Sequence, residues 1–398
     1  MTAARVIERE RIVRPREHLI ASRLRRFAWR HREAVSVLTR RHPRLADLAL
    51  SFPALLFALA VPRPRFDPEP VIERVIAGAP LGELAAETDL PMWTRKLMPE
   101  AFLYSVPRLP DGELFRRQIP NHLPQHAKEA HRWLTLITNT AFWGDEAISL
   151  WFARHADMPE HGRAIAEWRL ICLWAWHSSH PSLLAARYLD TKWTPDMAPK
   201  QARDAAHEWS ASIEAAAYLG EKQVSASWAN AVTIDGHAFE PILDAGQLIS
   251  TARLMRNCIR NYSSCMANNE ATLWLVRKGA EPVAMVSLSA YGNQRFPRLG
   301  EVSGPANKPV ADDLLLAVHR WYRSHVPPEQ VVRFNGREAG QANWTSLWRD
   351  YWVAKRCVPT WLPRRPRLLE LNLPTDPDWA PRLRRRRCRR PHRRRRAA

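Results

Sequence analysis

The sequence predicts an α+β protein: a helical, Trp-rich N-terminal half followed by a small mixed α+β domain built on an antiparallel sheet. Three observations carry this expectation. From Val71 to Gly220 the apolar residues recur at helical spacing, punctuated by proline, with little strand signal. From Val224 the composition turns to β-branched and aromatic runs separated by Gly-containing turns. Eight tryptophans, from Trp133 to Trp209, fall among Leu, Ile and Ala in the first half, where an indole serves as core because it buries a large apolar area.

Taken in order, residues 1–60 form a basic helical region in which Leu19, Leu24, Phe27 and Val35 make one face and arginines the others. That face suits docking on nucleic acid or an acidic partner; a solvated helix packed on the body is the plainer reading. Leu45 to Val61 is the most apolar run, but Asp47, Ser51 and Pro53 interrupt it and it falls short of a bilayer span, so a buried helix is expected. Pro62, Pro64, Pro68 and Pro70 preclude a helix and mark a linker. Residues 71–220 read as a helical domain. Within it Leu81 to Pro91 has the outline of a first helix and turn, but Pro99 cuts off any recognition helix after it.

The domain expected over 224–355 starts with a hairpin, Trp228 to Ile234 and His237 to Leu243, turning on Asp235-Gly236. A helix runs from Asp244 to Met255, and a second apolar face, Cys258, Ile259, Tyr262 and Met266, ends at Asn268-Asn269. Two strand runs, Ala271 to Val276 and Pro282 to Leu288, flank a loop with Gly279. A third strand passes through Arg298 to Val302 and breaks at Gly304-Pro305. An amphipathic helix over Ala311 to Tyr322 points Leu314, Leu315, Val318, Trp321 and Tyr322 inward, and Val331 to Phe334 reads as a further strand. Residues 359–398 form a Pro- and Arg-rich tail without regular structure.

Charge is distributed unevenly. The chain of 398 residues carries +20. Thirteen Arg against four Glu give Met1 to Arg44 +9, and eleven Arg without an acid give Pro381 to Ala398 +11, which leaves the middle neutral. Such ends are the footprint of a polyanion binder, with Arg384, Arg385, Arg386, Arg387, Arg393, Arg394, Arg395 and Arg396 as the candidate DNA or RNA contacts. A solvated tail explains the same run. Five cysteines without a Cys-x-x-Cys pair argue against a disulfide framework or structural zinc, and no motif calls for a cofactor. The first residues lack the apolar core of a signal peptide, and no membrane span is expected.

Two blocks invite a chemical reading: Met255-Arg256-Asn257-Cys258-Ile259-Arg260-Asn261-Tyr262 and Glu301-Val302-Ser303-Gly304-Pro305-Ala306-Asn307. With Leu273-Trp274-Leu275-Val276-Arg277 between them, they resemble the PcfJ-like family of bacterial mobile elements and plasmids. That family carries a Met-x-His-Cys-Val-Gly-x-Tyr block, an Ile-x-x-(Ile/Val)-Arg strand and a Gln-x-x-Gly-x-x-Asn block. Here Asn257 stands in place of His, Arg260 of Gly and Glu301 of Gln. The resemblance implies an association with conjugation or other mobile-element genes and a bacterial cytoplasmic setting; joined to the basic termini, it gives the expectation of an accessory protein of plasmid or mobile-element biology that acts by nucleic-acid or protein binding through those termini.

The alternative is an enzyme whose pocket is lined by Cys258, Tyr262, Glu301 and Asn307. Cys258 is the candidate nucleophile, near a helix start with Arg253, Arg256 and Arg260 close in sequence to favour a thiolate. His237, His319 and His325 are the candidate bases. A buried, packing cysteine is the plainer reading, and Asn307 would serve equally as the cap of the following helix.

Overall fold

The computed structural model describes residues 16–155, 162–220, 228–290, 296–327, 331–334, 344–363 and 373–374. The fold is α+β: helices predominate, joined by one five-stranded antiparallel sheet. The chain divides into two compact units, residues 1–138 with 356–360 and 373–398, and residues 139–355 with 361–372.

The first unit begins with α1 (16–24), α2 (Trp29–Arg41), α3 (Pro43–Ser51), α4 (Pro53–Ala60), α5 (Glu69–Ala77), α6 (Leu81–Glu87) and α7 (Glu113–Gln118). The basic N-terminal stretch is two helices rather than one face: Phe27 and Val35 are buried, while Leu19 is exposed. Phe27, in the turn between α1 and α2, stacks on Phe57 of α4 at 6.0 Å, Phe57 stacks on Phe102 at 5.4 Å, and His31 of α2 meets the Phe57 ring edge-on at 5.3 Å, which ties this turn and α2 to α4. The apolar run after Leu45 is buried as expected, but as two helices, because Pro53 cannot donate to α3 and opens α4 at its first position. α5 starts inside the proline segment for the same reason, with Pro70 in its first turn. After α6 the chain makes only 3₁₀ turns, Met92–Lys96 and Pro99–Ala101, so no recognition helix follows it.

The unit division falls within α8 (Ala127–Trp143). α9 (Glu146–Arg154), α10 (Gly162–Ser178) and α11 (Pro199–Leu219) then lead into the sheet. Trp151, Trp174, Trp176 and Trp209 are buried here, the core role expected of them. β1 (Val232–Ile234) and β2 (His237–Ile242) turn on Asp235 (φ 49°) and Gly236 (φ 75°), the two positive angles that an Asp-Gly hairpin supplies. α12 (Ala245–Met255) follows. Asp244 caps it by accepting from the Gln247 amide at 2.8 Å, and Gln247 Oε1 reaches back to the Leu243 amide at 2.6 Å.

A 3₁₀ turn, Ile259–Tyr262, runs into α13 (Ser263–Ala267), which stops at Asn269 (φ 58°). The Asn269 amide group holds the stop in place. Its oxygen accepts from Trp228 Nε1 at 3.1 Å and its nitrogen donates to the Arg333 carbonyl at 2.7 Å. β3 (Ala271–Lys278), β4 (Glu281–Ser289) and β5 (Arg298–Ser303) complete the meander in sequence order, every neighbour antiparallel. α14 (Asp312–His325) and α15 (Trp344–Lys355) close the unit.

Both sheet faces are covered, which is why β3 is a continuous apolar run rather than an alternating one. Leu273, Leu275 and Met285 pack with residues of α11, α12 and α13. Trp274, Val276 and Val286 pack with Leu314, Val318 and Trp321 of α14, and Trp321 stacks on Phe239 at 4.8 Å. Two expectations are corrected. Leu315 faces out and Ala317 takes its inward place. Val331 to Phe334 is not a strand: Val331 is exposed and the segment is held by the Asn269 contact instead of a ladder. Among the described residues no helix is long and apolar enough to cross a membrane.

Candidate functional site

α12 ends in a left-handed cap at Arg256 (φ 51°), whose amide, with that of Asn257, bonds back to the Ala252 carbonyl. This reversal turns Cys258 outward and drives Ile259 and Arg260 inward. Cys258 is therefore exposed, contrary to a packing role, and among the described residues no hydrogen bond or ion pair involves its thiol. None of His237, His319 or His325 is joined to it. Cys265, by contrast, is half-buried, and burial raises its thiol pKa.

Two of the three arginines expected beside the thiol are engaged elsewhere. Arg260 is only 6% exposed and lies 3.4 Å from Asp190 Oδ2 and 3.4 Å from the Glu208 carbonyl, while Arg253 pairs with the same Asp190 carboxylate. Burial lowers the Arg260 pKa and the Asp190 charge opposes that shift. The position where the PcfJ-like pattern has glycine thus holds a buried cation tied to the segment before α11. Asn257, in place of the pattern's His, buries its side-chain amide without a hydrogen-bond partner.

Two of the predicted site residues do meet. The Tyr262 hydroxyl donates to Glu301 Oε2 at 3.3 Å across 39 residues of sequence. Glu301 is aimed by the edge of the sheet. Its amide donates to Ser287 Oγ at 2.7 Å, where the β4–β5 register slips between Val286 and Leu288. Gly300 makes room for that contact, because a Cβ there would stand 2.5 Å from Ser287 Oγ. Asn307 lies in the exposed turn Gly304–Lys308, closed by the Gly304 amide on the Lys308 carbonyl at 2.7 Å, with Ala306 and Asn307 both near φ 57°. It does not cap α14, whose preceding residue is Ala311 and which has no side-chain cap. The arrangement offers an exposed phenol–carboxylate pair able to accept or relay a proton. Among the described residues no cluster of His, Cys, Asp and Glu has the makings of a metal site.

A second surface, in the first unit, was not legible in the sequence. Trp29 opens α2 with its indole 81% exposed. Around it in sequence stand Arg23, Arg25, Arg30, Arg32 and Arg40, and among the described residues none of these has a carboxylate partner. Arg30 lies over the Tyr104 ring at 4.6 Å and donates to the Leu103 carbonyl, while Arg32 donates to the Phe27 carbonyl at 2.8 Å. The other arginines here are neutralised: Arg16 by Asp47, Arg26 by Glu100 and Arg41 by Glu69. Trp29 falls outside the apolar spacing of Leu19, Leu24, Phe27 and Val35. An aromatic that breaks the apolar spacing inside an Arg run was the available signal. The C-terminal arginines, 384–387 and 393–396, lie outside the described residues.

No protein-family model matches this chain, and neither a curated protein nor a solved structure does so.

Proposed function

We propose that the protein binds single-stranded DNA or RNA through the α1–α2 face of its first unit, as an accessory factor. The observation that carries this is the exposed Trp29 indole among arginines left without carboxylate partners. A large indole in water has no packing role, and a flat aromatic near cations that lack carboxylate partners is the platform on which a base stacks while its phosphates are neutralised. The basic termini would extend the electrostatic reach of that platform. The PcfJ-like resemblance, carried by the Met255–Tyr262 and Glu301–Asn307 blocks, supports a place in mobile-element or plasmid biology and a bacterial cytoplasmic setting.

The test is binding of the full chain to labelled single-stranded DNA and RNA by fluorescence anisotropy. Loss of one stacked base in Trp29→Ala should weaken binding by about 1–3 kcal/mol, and Arg25→Ala with Arg32→Ala should flatten the salt dependence. Unchanged affinity and slope in both variants would remove this face from the function.

The Tyr262–Glu301 contact favours a second reading, an enzyme working at the edge of the sheet, with the exposed Cys258, four residues before Tyr262 in the chain, as its candidate nucleophile. Selective alkylation of the exposed Cys258, followed by mass spectrometry and loss of a turnover absent from Cys258→Ser, is its signature.

A further inference from the structure

The first unit exposes a second aromatic, joined to Trp29 through one arginine. Among the described residues three Phe, Tyr or Trp side chains are exposed, Trp29, Tyr104 and Phe296, and the first two lie in this unit. Tyr104 follows the 3₁₀ turn Pro99–Ala101 in a stretch without helix or strand. Contacts from the α1–α2 corner nevertheless hold that stretch. Arg26 pairs with Glu100 at 2.6 Å, His31 Nε2 lies 3.0 Å from the Leu103 carbonyl, and Arg30 donates to the same carbonyl. The Tyr104 ring is thus kept in one place while 49% exposed. Ordering a side chain costs conformational freedom that so little burial does not return, and a contact surface arranged in advance is where that cost is recovered on binding.

Arg30 is the link between the two rings. It follows Trp29 in the first turn of α2, it is exposed, and its guanidinium lies over the Tyr104 ring at 4.6 Å. One of its N–H groups goes to Leu103, and among the described residues the others make no hydrogen bond. A guanidinium fixed in this way offers a flat face to a base and free donors to a phosphate. The surroundings are positive. The His131 ring stands 6.0 Å from that of Tyr104. Burial lowers the His131 pKa, and the charges of Arg30 and Arg132 lower it further against the opposing hydrogen bond to Ala101. Arg108, in the same stretch as Tyr104, is exposed and has no carboxylate partner among the described residues, and Glu33 is the one acid of α2.

We propose that this surface takes two neighbouring bases of one unpaired strand, the first on the Trp29 indole and the second on the Arg30 guanidinium with Tyr104 behind it. The proposal deepens the single-strand reading of the α1–α2 face and rests on it. Both positions need a base whose face is open, which a base stacked inside a duplex does not offer.

Anisotropy titrations of the full chain with short labelled strands, abasic throughout, abasic except for one base, or abasic except for two adjacent bases, test it. One base should tighten binding over the abasic strand, and the second should tighten it by about tenfold more. Tyr104→Leu removes the backing ring, and Arg30→Lys keeps the charge but removes the flat face. Each should erase the gain from the second base and keep the gain from the first, with the salt slope of Arg30→Lys unchanged. Both residues are exposed, so an unaltered melting curve should accompany each variant. Trp29→Ala should weaken the one-base and two-base strands alike. No gain from the second base in the parent chain, or a gain that persists in both Tyr104→Leu and Arg30→Lys, overturns the proposal and leaves the Trp29 reading standing. Binding of Trp29→Ala identical to the parent on every strand overturns that reading, and the proposal with it.

Discussion

His177, on α10, is 1% exposed and sits among Trp176, Trp209, Trp348 and Tyr351, and neither ring nitrogen has a hydrogen-bond partner. Burial, with a smaller push from His180, lowers its pKa to about 3. The folded chain therefore holds it neutral, while the unfolded chain takes up a proton near the ordinary value of about 6.5. The sign follows: stability is fully present above pH 6.5 and is lost as pH falls toward 3, by roughly 1.4 kcal/mol per unit from this one group. His177→Phe keeps an aromatic ring in an aromatic cage and removes the proton acceptor. Urea unfolding at pH 7, 5.5 and 4.5 should show the variant gaining on the parent at each step down. Parallel losses in both proteins would mean that His177 is not the acid-sensitive group. His180, three residues on, differs in this respect: its Nδ1 lies 2.7 Å from the Trp176 carbonyl, while His177 is core. Neighbours on α15, more than 160 residues away, make that difference, and no local pattern encodes them.

Local chemistry was legible at the scale of single elements, and α12 is the clearest case. Its start is written in Asp244 and Gln247, and Asp244→Ala should cost about 1 kcal/mol, seen as faster hydrogen exchange in the first turn and a lower melting temperature. Exchange rates unchanged at Gln247 would show that tertiary packing alone fixes this end. Because α12 leads into the Arg256 reversal, the same variant should loosen the turn that exposes Cys258. The hairpins were equally readable, since Asp235-Gly236 and Gly279 supply positive backbone angles that neighbouring residue types disfavour. What failed was whatever depends on a distant partner. Val331 to Phe334 has strand composition, but the segment joins no ladder and is tied by the Arg333 carbonyl to Asn269, more than 60 residues earlier. Leu315 fits a helical face in sequence, yet α14 buries Ala317 in its place. Arg260 reads as a neighbour of Cys258 and is in fact a buried partner of Asp190, 70 residues earlier. Of the four candidate site residues, the structure joins Tyr262 to Glu301 and leaves Cys258 and Asn307 exposed without any contact between them among the described residues.

For the molecule as a whole, charge placement decides how function should respond to salt. The middle of the chain is neutral, so its +20 resides at the two ends, with eleven arginines after Ala380. Each phosphate neutralised on a single strand adds about 0.7 to the slope of log affinity against log salt. Removing residues 381–398 should therefore cut the slope steeply, by as much as about 8 if every arginine contacts a phosphate. Stacking on Trp29 is nearly independent of salt, so it should survive that truncation as a residual affinity which Trp29→Ala then removes. Anisotropy titrations of the full chain, of residues 1–380, and of each with Trp29→Ala separate the two contributions, because one changes the slope and the other the intercept. A truncated chain with no residual affinity would assign binding to the terminal arginines alone. A truncated chain with an unchanged slope would show instead that the tail never reaches the strand, and that Arg23, Arg25, Arg30, Arg32 and Arg40 carry the whole electrostatic contribution.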